Sequence, residues 1–193
     1  MTACSRTRLA GFLPTALTAS RLVLAPAVSL LVLQGRHFAA LVVFVLAAGS
    51  DLVDGTIARW LGTTSEVGAR LDPIADKALM LCAAIPLAAR GWLPVWLVAA
   101  IVVRDLVIVS GAAAYRILFG RISIAPTQLS KLNTALEFLV TTLALAVAAG
   151  MIEPPAWLAS FWVVVLATVL ISGAQYVWVW GAKAIGARRS SGR

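Results

Sequence analysis

The chain has 193 residues, 61% of them hydrophobic and 12% charged, with a mean hydropathy of +0.95. A soluble domain carries about 25% charged residues, so composition excludes a soluble globular protein and predicts an all-α polytopic membrane protein. Sixteen Lys and Arg stand against eight Asp and Glu, a formal charge of +8; in a membrane chain such an excess belongs to cytoplasmic loops and argues against a nucleic-acid partner.

A hydrocarbon core of about 30 Å takes roughly 20 apolar residues per helix. Six hydrophobic segments, each bounded by Gly, Pro or charge, span residues 14–33, 38–61, 67–89, 93–119, 127–149 and 155–181. Lipid demands internally satisfied backbones, so these segments are helices, about six transmembrane helices in one domain over residues 1–193. The first is too long for the apolar region of a signal peptide, and further spans follow it. Residues 1–12 precede the bundle, and 183–193 form a basic tail expected to be disordered after Gly186. Short breaks at 35–37, 62–66 and 90–92 make neighbouring helices antiparallel.

Arg6 and Arg8 precede the first helix, Arg59 and Arg70 flank the second break, and Arg116, Arg121 and Lys131 surround the fourth. Lys183, Arg188, Arg189 and Arg193 close the chain, whereas the remaining breaks hold only Arg36 and Arg90. The basic side is the cytoplasmic one, which puts both termini and the functional surface in the cytoplasm, with the inner membrane of a bacterium as the expected location. Trp92, Trp96 and Trp157 suit an aromatic belt at the opposite interface. Cys4 and Cys82 form neither a disulfide framework nor a metal-ligand spacing. His37 reads as a lone, solvated loop residue and Glu66 as a surface charge.

Five of the eight acids lie between residues 51 and 76. At about 100° per residue, Asp51, Asp54, Gly55 and Ala58 share one face of the second helix, and Gly68, Asp72 and Asp76 share one face of the third. The short break lets these faces meet. Snorkelling at helix ends accounts for one or two of the acids, but poorly for four on two stripes, and intramembrane acids mark function. Four carboxylates in low dielectric repel one another; two divalent cations balance them, and oxygen-only ligands favour Mg²⁺ or Mn²⁺. A pair of such ions suits phosphoryl-type transfer. Gly55, Ala58 and Gly68 serve either close helix packing or ligand access.

The pattern D-x-x-D-G-x-x-A-R-x8-G-x3-D-x3-D, matched from Asp51 to Asp76 at every fixed position, resembles that of the CDP-alcohol phosphatidyltransferases. The resemblance implies a six-helix membrane enzyme, usually a homodimer, that displaces CMP from a CDP-linked lipid such as CDP-diacylglycerol with an acceptor hydroxyl. By position it implies that Asp51, Asp54, Asp72 and Asp76 hold two metal ions and that Asp76 is also the base. Gly55, Ala58, Arg59 and Gly68 then border the CDP moiety. The stretch from Leu13 to Arg21 is similar to the family's first-helix opening, with Thr18 and Arg21 near the nucleotide. An Asn common before Pro14 is absent, Phe12 and Leu13 standing there instead.

Arg104 and Asp105 lie inside the fourth segment, and Pro126-Thr127-Gln-Leu-Ser130-Lys131-Leu-Asn133-Thr134 opens the fifth. Neighbouring helical residues point about 100° apart, so Arg104 and Asp105 are not expected to neutralise each other directly. Either they pair with another helix, or Arg104 joins Lys131, Arg116 and Arg121 as a basic pocket for a phosphate on the acceptor. Ser130 and Thr134 lie within about 100° and 60° of Lys131. Glu137 is a second possible partner for Arg104. The strings around Arg104 and Lys131 look more like the cardiolipin synthase branch, whose acceptor is phosphatidylglycerol, than the phosphatidylglycerophosphate synthase branch, whose acceptor is glycerol 3-phosphate. A cation transporter or channel, its acids lining a permeation path, is the alternative from another class.

Overall fold

A computed structural model describes the backbone of residues 20–61, 66–119 and 127–191, and side chains over 20–49, 74–117 and 127–180. The described residues form six helices and no strand: α1 (Ser20–Leu33), α2 (His37–Leu61), α3 (Glu66–Ala89), α4 (Val95–Phe119), α5 (Gln128–Ala148) and α6 (Leu158–Ser191). The all-α expectation holds, and the helix ends within the described residues fall close to the expected ones, except the last.

The breaks have a common chemistry. At the end of α1, Gly35 adopts φ 76°; its N–H donates to the Val32 carbonyl at 3.0 Å, and the Arg36 N–H donates to Leu31 at 2.9 Å. This paired closure satisfies carbonyls that the helix leaves over, and its left-handed residue favours glycine. Gly91 closes α3 in the same way, with bonds to Ala88 and, from Trp92, to Leu87. The Arg90 guanidinium donates to the Leu33 carbonyl, a further cap on α1. At the start of α5, the Ser130 N–H donates to Thr127 Oγ1 at 3.2 Å, so Thr127 caps that helix.

The contacts divide the chain into two compact units, Met1–Leu93 with Thr141–Glu153, and Pro94–Val140 with Pro154–Arg193. In the first, buried positions recur every three or four residues: Ala25, Val28 and Val32 on α1, Ala40, Phe44 and Ala47 on α2, and Ala75, Leu79, Ala83 and Leu87 on α3. Small residues alternate with large ones along α3, so neighbouring backbones can approach closely. In the second unit α4 packs against α6. Leu97 of α4, Val140 of α5, and Val165 and Val169 of α6 are buried, together with the polar Arg104, Asn133, Glu137 and Ser172.

The outer faces are apolar: Leu106, Val109 and Ile117 on α4 and Leu170, Ile171 and Trp178 on α6 are exposed. Apolar side chains outside and polar ones inside invert the soluble arrangement, as a lipid environment requires. Among the described residues three helical stretches are long and apolar enough to cross a membrane, Val95–Ile117, Gln128–Ala148 and Leu158–Trp180. The protein is a membrane protein.

Two expectations need correction. Helix α6 does not stop near Gly186 but continues to Ser191, over 34 residues. Its length is about 51 Å at 1.5 Å per residue, well beyond the hydrocarbon core; Ala, Lys and Arg are good helix formers, and nothing after Trp180 forces a break. His37 is not a solvated loop residue either. It opens α2, is half-buried, and sets its ring edge-on to Trp92 at 5.8 Å.

Candidate active site

The acid pattern lies on α2 and α3, which contact each other within the first unit. Asp51, Asp54, Gly55, Ala58 and Arg59 occupy the last three turns of α2, and Gly68, Asp72 and Asp76 the first three of α3. The helical backbone there preserves the i, i+3 and i, i+4 spacings that put each set on one face. Except at Asp76, the side chains of these residues lie outside the described ones, as does Thr18 entirely.

Asp76 is half-exposed and forms an ion pair with Arg21, whose Nη1 donates to its Oδ1. Arg21 belongs to the first described turn of α1 and is only 3% exposed. A guanidinium is always charged and is costly to bury without an anionic partner, so this pairing fixes where α1 meets α3. Two residues from separate parts of the sequence pattern, 55 positions apart, therefore share a single contact. The buried cation holds one oxygen of Asp76, whose side chain is 43% exposed. A carboxylate so placed can bind a cation or accept a proton.

The second polar centre belongs to the second unit. Arg104, 6% exposed on α4, donates from Nη1 to Asp105 Oδ1 at 2.8 Å, and from Nη2 to Ser130 Oγ at 3.0 Å and Ser172 Oγ at 2.7 Å. The direct Arg104–Asp105 bond corrects the expectation from helical angles: the long arginine side chain carries its planar fork well away from the backbone, so a 100° offset does not keep the groups apart. Among the described residues Glu137 is not an acceptor for Arg104; it is buried on α5 and receives a hydrogen bond from Asn133 Nδ2. Thr168 Oγ1 of α6 lies 3.1 Å from Asn133 Oδ1.

Arg116 and Lys131 are exposed, at the end of α4 and near the start of α5. Arg121 lies outside the described residues. Thr134 is exposed too and donates to the Ser130 carbonyl at 3.1 Å. Ser130, by contrast, turns its hydroxyl to Arg104. Ser172, Tyr176 and Thr168 escape sequence reasoning because α6 reads as a uniformly apolar span. Their recurrence every four residues is the signal that was available.

A family model described as CDP-alcohol phosphatidyltransferase matches residues 11–174. The chain is 35% identical over 179 residues to a fusion protein of Schizosaccharomyces pombe described as cardiolipin synthase (CMP-forming) / mitochondrial hydrolase, covering 85% of this chain and 30% of that one. It is 33% identical over 150 residues to the cardiolipin synthase (CMP-forming) of Homo sapiens, covering 69% and 50%. It is 35% identical over 185 residues to a probable phosphatidylglycerophosphate synthase of Mycobacterium tuberculosis, covering 89% and 82%. The chain thus spans half or less of the first two relatives' lengths and most of the third. The match runs from before α1 into α6 and takes in both the acid pattern and the Arg104 centre, and by it the chain belongs to the CDP-alcohol phosphatidyltransferase family.

Proposed function

We propose that the protein transfers the phosphatidyl group of CDP-diacylglycerol to a hydroxyl of phosphatidylglycerol, releasing CMP and forming cardiolipin. The observation that carries this reading is the Arg21–Asp76 ion pair, which joins the expected nucleotide-side arginine to the expected base within the helix set that bears the full acid pattern.

The family is generally divalent-metal dependent. The donor set fits Mg²⁺ or Mn²⁺: Asp51, Asp54, Asp72 and Asp76 offer oxygen alone and four negative charges, from two helices in contact. Two such ions, when bound, offset the charge of the diphosphate and polarise the phosphorus attached to diacylglycerol. The chain's own residues do the rest. Thr18, Arg21, Gly55, Ala58, Arg59 and Gly68 border the CDP moiety. Asp76 takes the proton of the acceptor hydroxyl as its oxygen bonds to that phosphorus; the phosphorus–oxygen bond to CMP breaks, and CMP leaves with the electron pair. Arg104, with Lys131, Arg116 and Arg121, recognises the acceptor's phosphate. The active site faces the cytoplasm of a bacterial inner membrane, the protein acts as a homodimer in one catalytic domain, and CDP-diacylglycerol enters from the cytoplasmic leaflet.

Glycerol 3-phosphate is the second acceptor reading, favoured by the relative from Mycobacterium tuberculosis that matches along most of its length. An acceptor panel separates the two. Purified protein is incubated with radiolabelled CDP-diacylglycerol, Mg²⁺ and, separately, phosphatidylglycerol, glycerol 3-phosphate, inositol phosphate or serine. Cardiolipin formed with phosphatidylglycerol is the expected product, whereas phosphatidylglycerophosphate formed with glycerol 3-phosphate assigns the second reading. Ion flux without CMP release from any acceptor would favour the channel alternative.

A further inference from the structure

Helix α6 is apolar for most of its span, yet Thr168, Ser172 and Tyr176 recur every four residues and form one stripe. Ser172 is fully buried and Tyr176 is 7% exposed. Each of the three meets a polar group from α4 or α5 within the second unit. Thr168 meets Asn133, Ser172 receives the Nη2 bond of Arg104 at 2.7 Å, and the Tyr176 ring lies 6.0 Å from the centre of the Arg104 guanidinium. Between them the backbone itself comes close: a Cβ on Gly173 would stand 3.5 Å from Arg104 Cγ.

Arginine offers five N–H donors and no acceptor. Asp105 takes one from Nη1, and Ser130 and Ser172 take those of Nη2. The buried Nε–H has no acceptor among the described residues. An arginine buried only to join helices would have its donors satisfied, since an unmet one costs as much as a lost hydrogen bond. The serines supply no charge to offset the guanidinium; they fix the plane of its fork, and the tyrosine ring supports that plane through a cation–π contact. The result is a buried cation of fixed orientation with donor capacity left over, which suits the oxygens of a phosphate.

We propose that Ser172 and Tyr176 are positioning residues for acceptor recognition, holding the Arg104 guanidinium in the orientation that binds the acceptor's phosphate. This rests on the reading of Arg104 as an acceptor-phosphate residue. It gives α6 a part in acceptor choice that its apolar sequence conceals.

The test uses the full chain in proteoliposomes, with KM and kcat measured separately for CDP-diacylglycerol and for whichever phosphate-bearing acceptor supports CMP release. Ser172→Ala is expected to raise the acceptor KM about ten-fold, the scale of one hydrogen bond to a charged group, with the KM for CDP-diacylglycerol within about two-fold of the parent. Tyr176→Leu is expected to raise the acceptor KM roughly three-fold. Ser172→Thr, which retains the hydroxyl, restores the parent value. If Arg104→Gln raises the acceptor KM but Ser172→Ala and Tyr176→Leu lower only thermal stability or kcat, the positioning role is overturned while the Arg104 reading stands. If Arg104→Gln itself leaves the acceptor KM unchanged, the site reading fails and the positioning role fails with it.

Discussion

The acid-bearing helices α2 and α3 and the Arg104 centre are two polar regions set among largely apolar helices, and they are assembled differently. The acids belong to two consecutive helices and are spaced by three and four residues, so helical geometry alone places each set on one stripe of its own helix. The Arg104 centre takes one residue or two from each of α4, α5 and α6, drawn from positions 104 to 176. Its members come together only when three helices pack in one register. The first concentrates acidic residues on two neighbouring helices, whereas the second pairs its cation with Asp105 and two serine hydroxyls. Substitutions should therefore separate them: the acid pair fails in chemistry before it fails in folding, and the Arg104 centre fails in both.

The largest effect is expected at Asp76. Asp76→Asn keeps the shape but removes the base, and CMP release should fall by about 10³-fold, within the range for general-base catalysis, with helix content unchanged by circular dichroism. Full activity in that variant would erase the distinction between the regions. At Arg104, Arg104→Leu removes the guanidinium from Asp105 and both serines and should cost about 3–5 kcal/mol in thermal or denaturant unfolding. Adding Asp105→Leu should recover part of that loss, because the pair is then replaced rather than broken; no recovery would mean that the Arg104–Asp105 bond contributes little.

Asn133→Ala sharpens the contrast inside the second region. It takes a partner from both Glu137 and Thr168 and should cost about 1–3 kcal/mol, with the acceptor KM unmoved. The smallest effects belong to Gly111 and Gly173, where an added Cβ meets Trp180 or Arg104 at an ordinary 3.5 Å. Gly→Ala at either should be neutral or stabilise by about 0.5–1 kcal/mol, the helical penalty of glycine. A clear loss there would show that the backbone approach at Gly173 is tighter than the contact distance implies.

The same difference explains what was legible in the sequence. Helix number and most boundaries followed from apolar runs and their punctuation, and the breaks at Gly35 and Gly91 are closures that glycine favours. The acid pattern was readable because its spacing is local. Arg21 is legible from the string it stands in, but its partner is not, since nothing local joins α1 to α3. Ser130 stood in a recognisable string whose Thr127 also caps α5, so a helix-start signal and a contact to Arg104 were superimposed. Ser172 and Tyr176 are single polar residues in an apolar run and gain meaning only from the guanidinium opposite them. Helical angles misjudged Arg104 and Asp105 because they describe Cβ directions, not the reach of a long side chain. The tail continues α6 to Ser191 because basic composition does not by itself oppose a helix, and Ala, Lys and Arg are good helix formers.

A metal-supported displacement of CMP is the reaction proposed for the acid-bearing helix pair. It is tested most directly by CMP release from CDP-diacylglycerol in proteoliposomes containing phosphatidylglycerol, with glycerol 3-phosphate added in parallel, before and after chelation with EDTA. Release with at least one acceptor, its loss on chelation, and its return on adding Mg²⁺ or Mn²⁺ are the expected results. Release that persists undiminished after chelation, or no release with either acceptor in the presence of both metals, would contradict it.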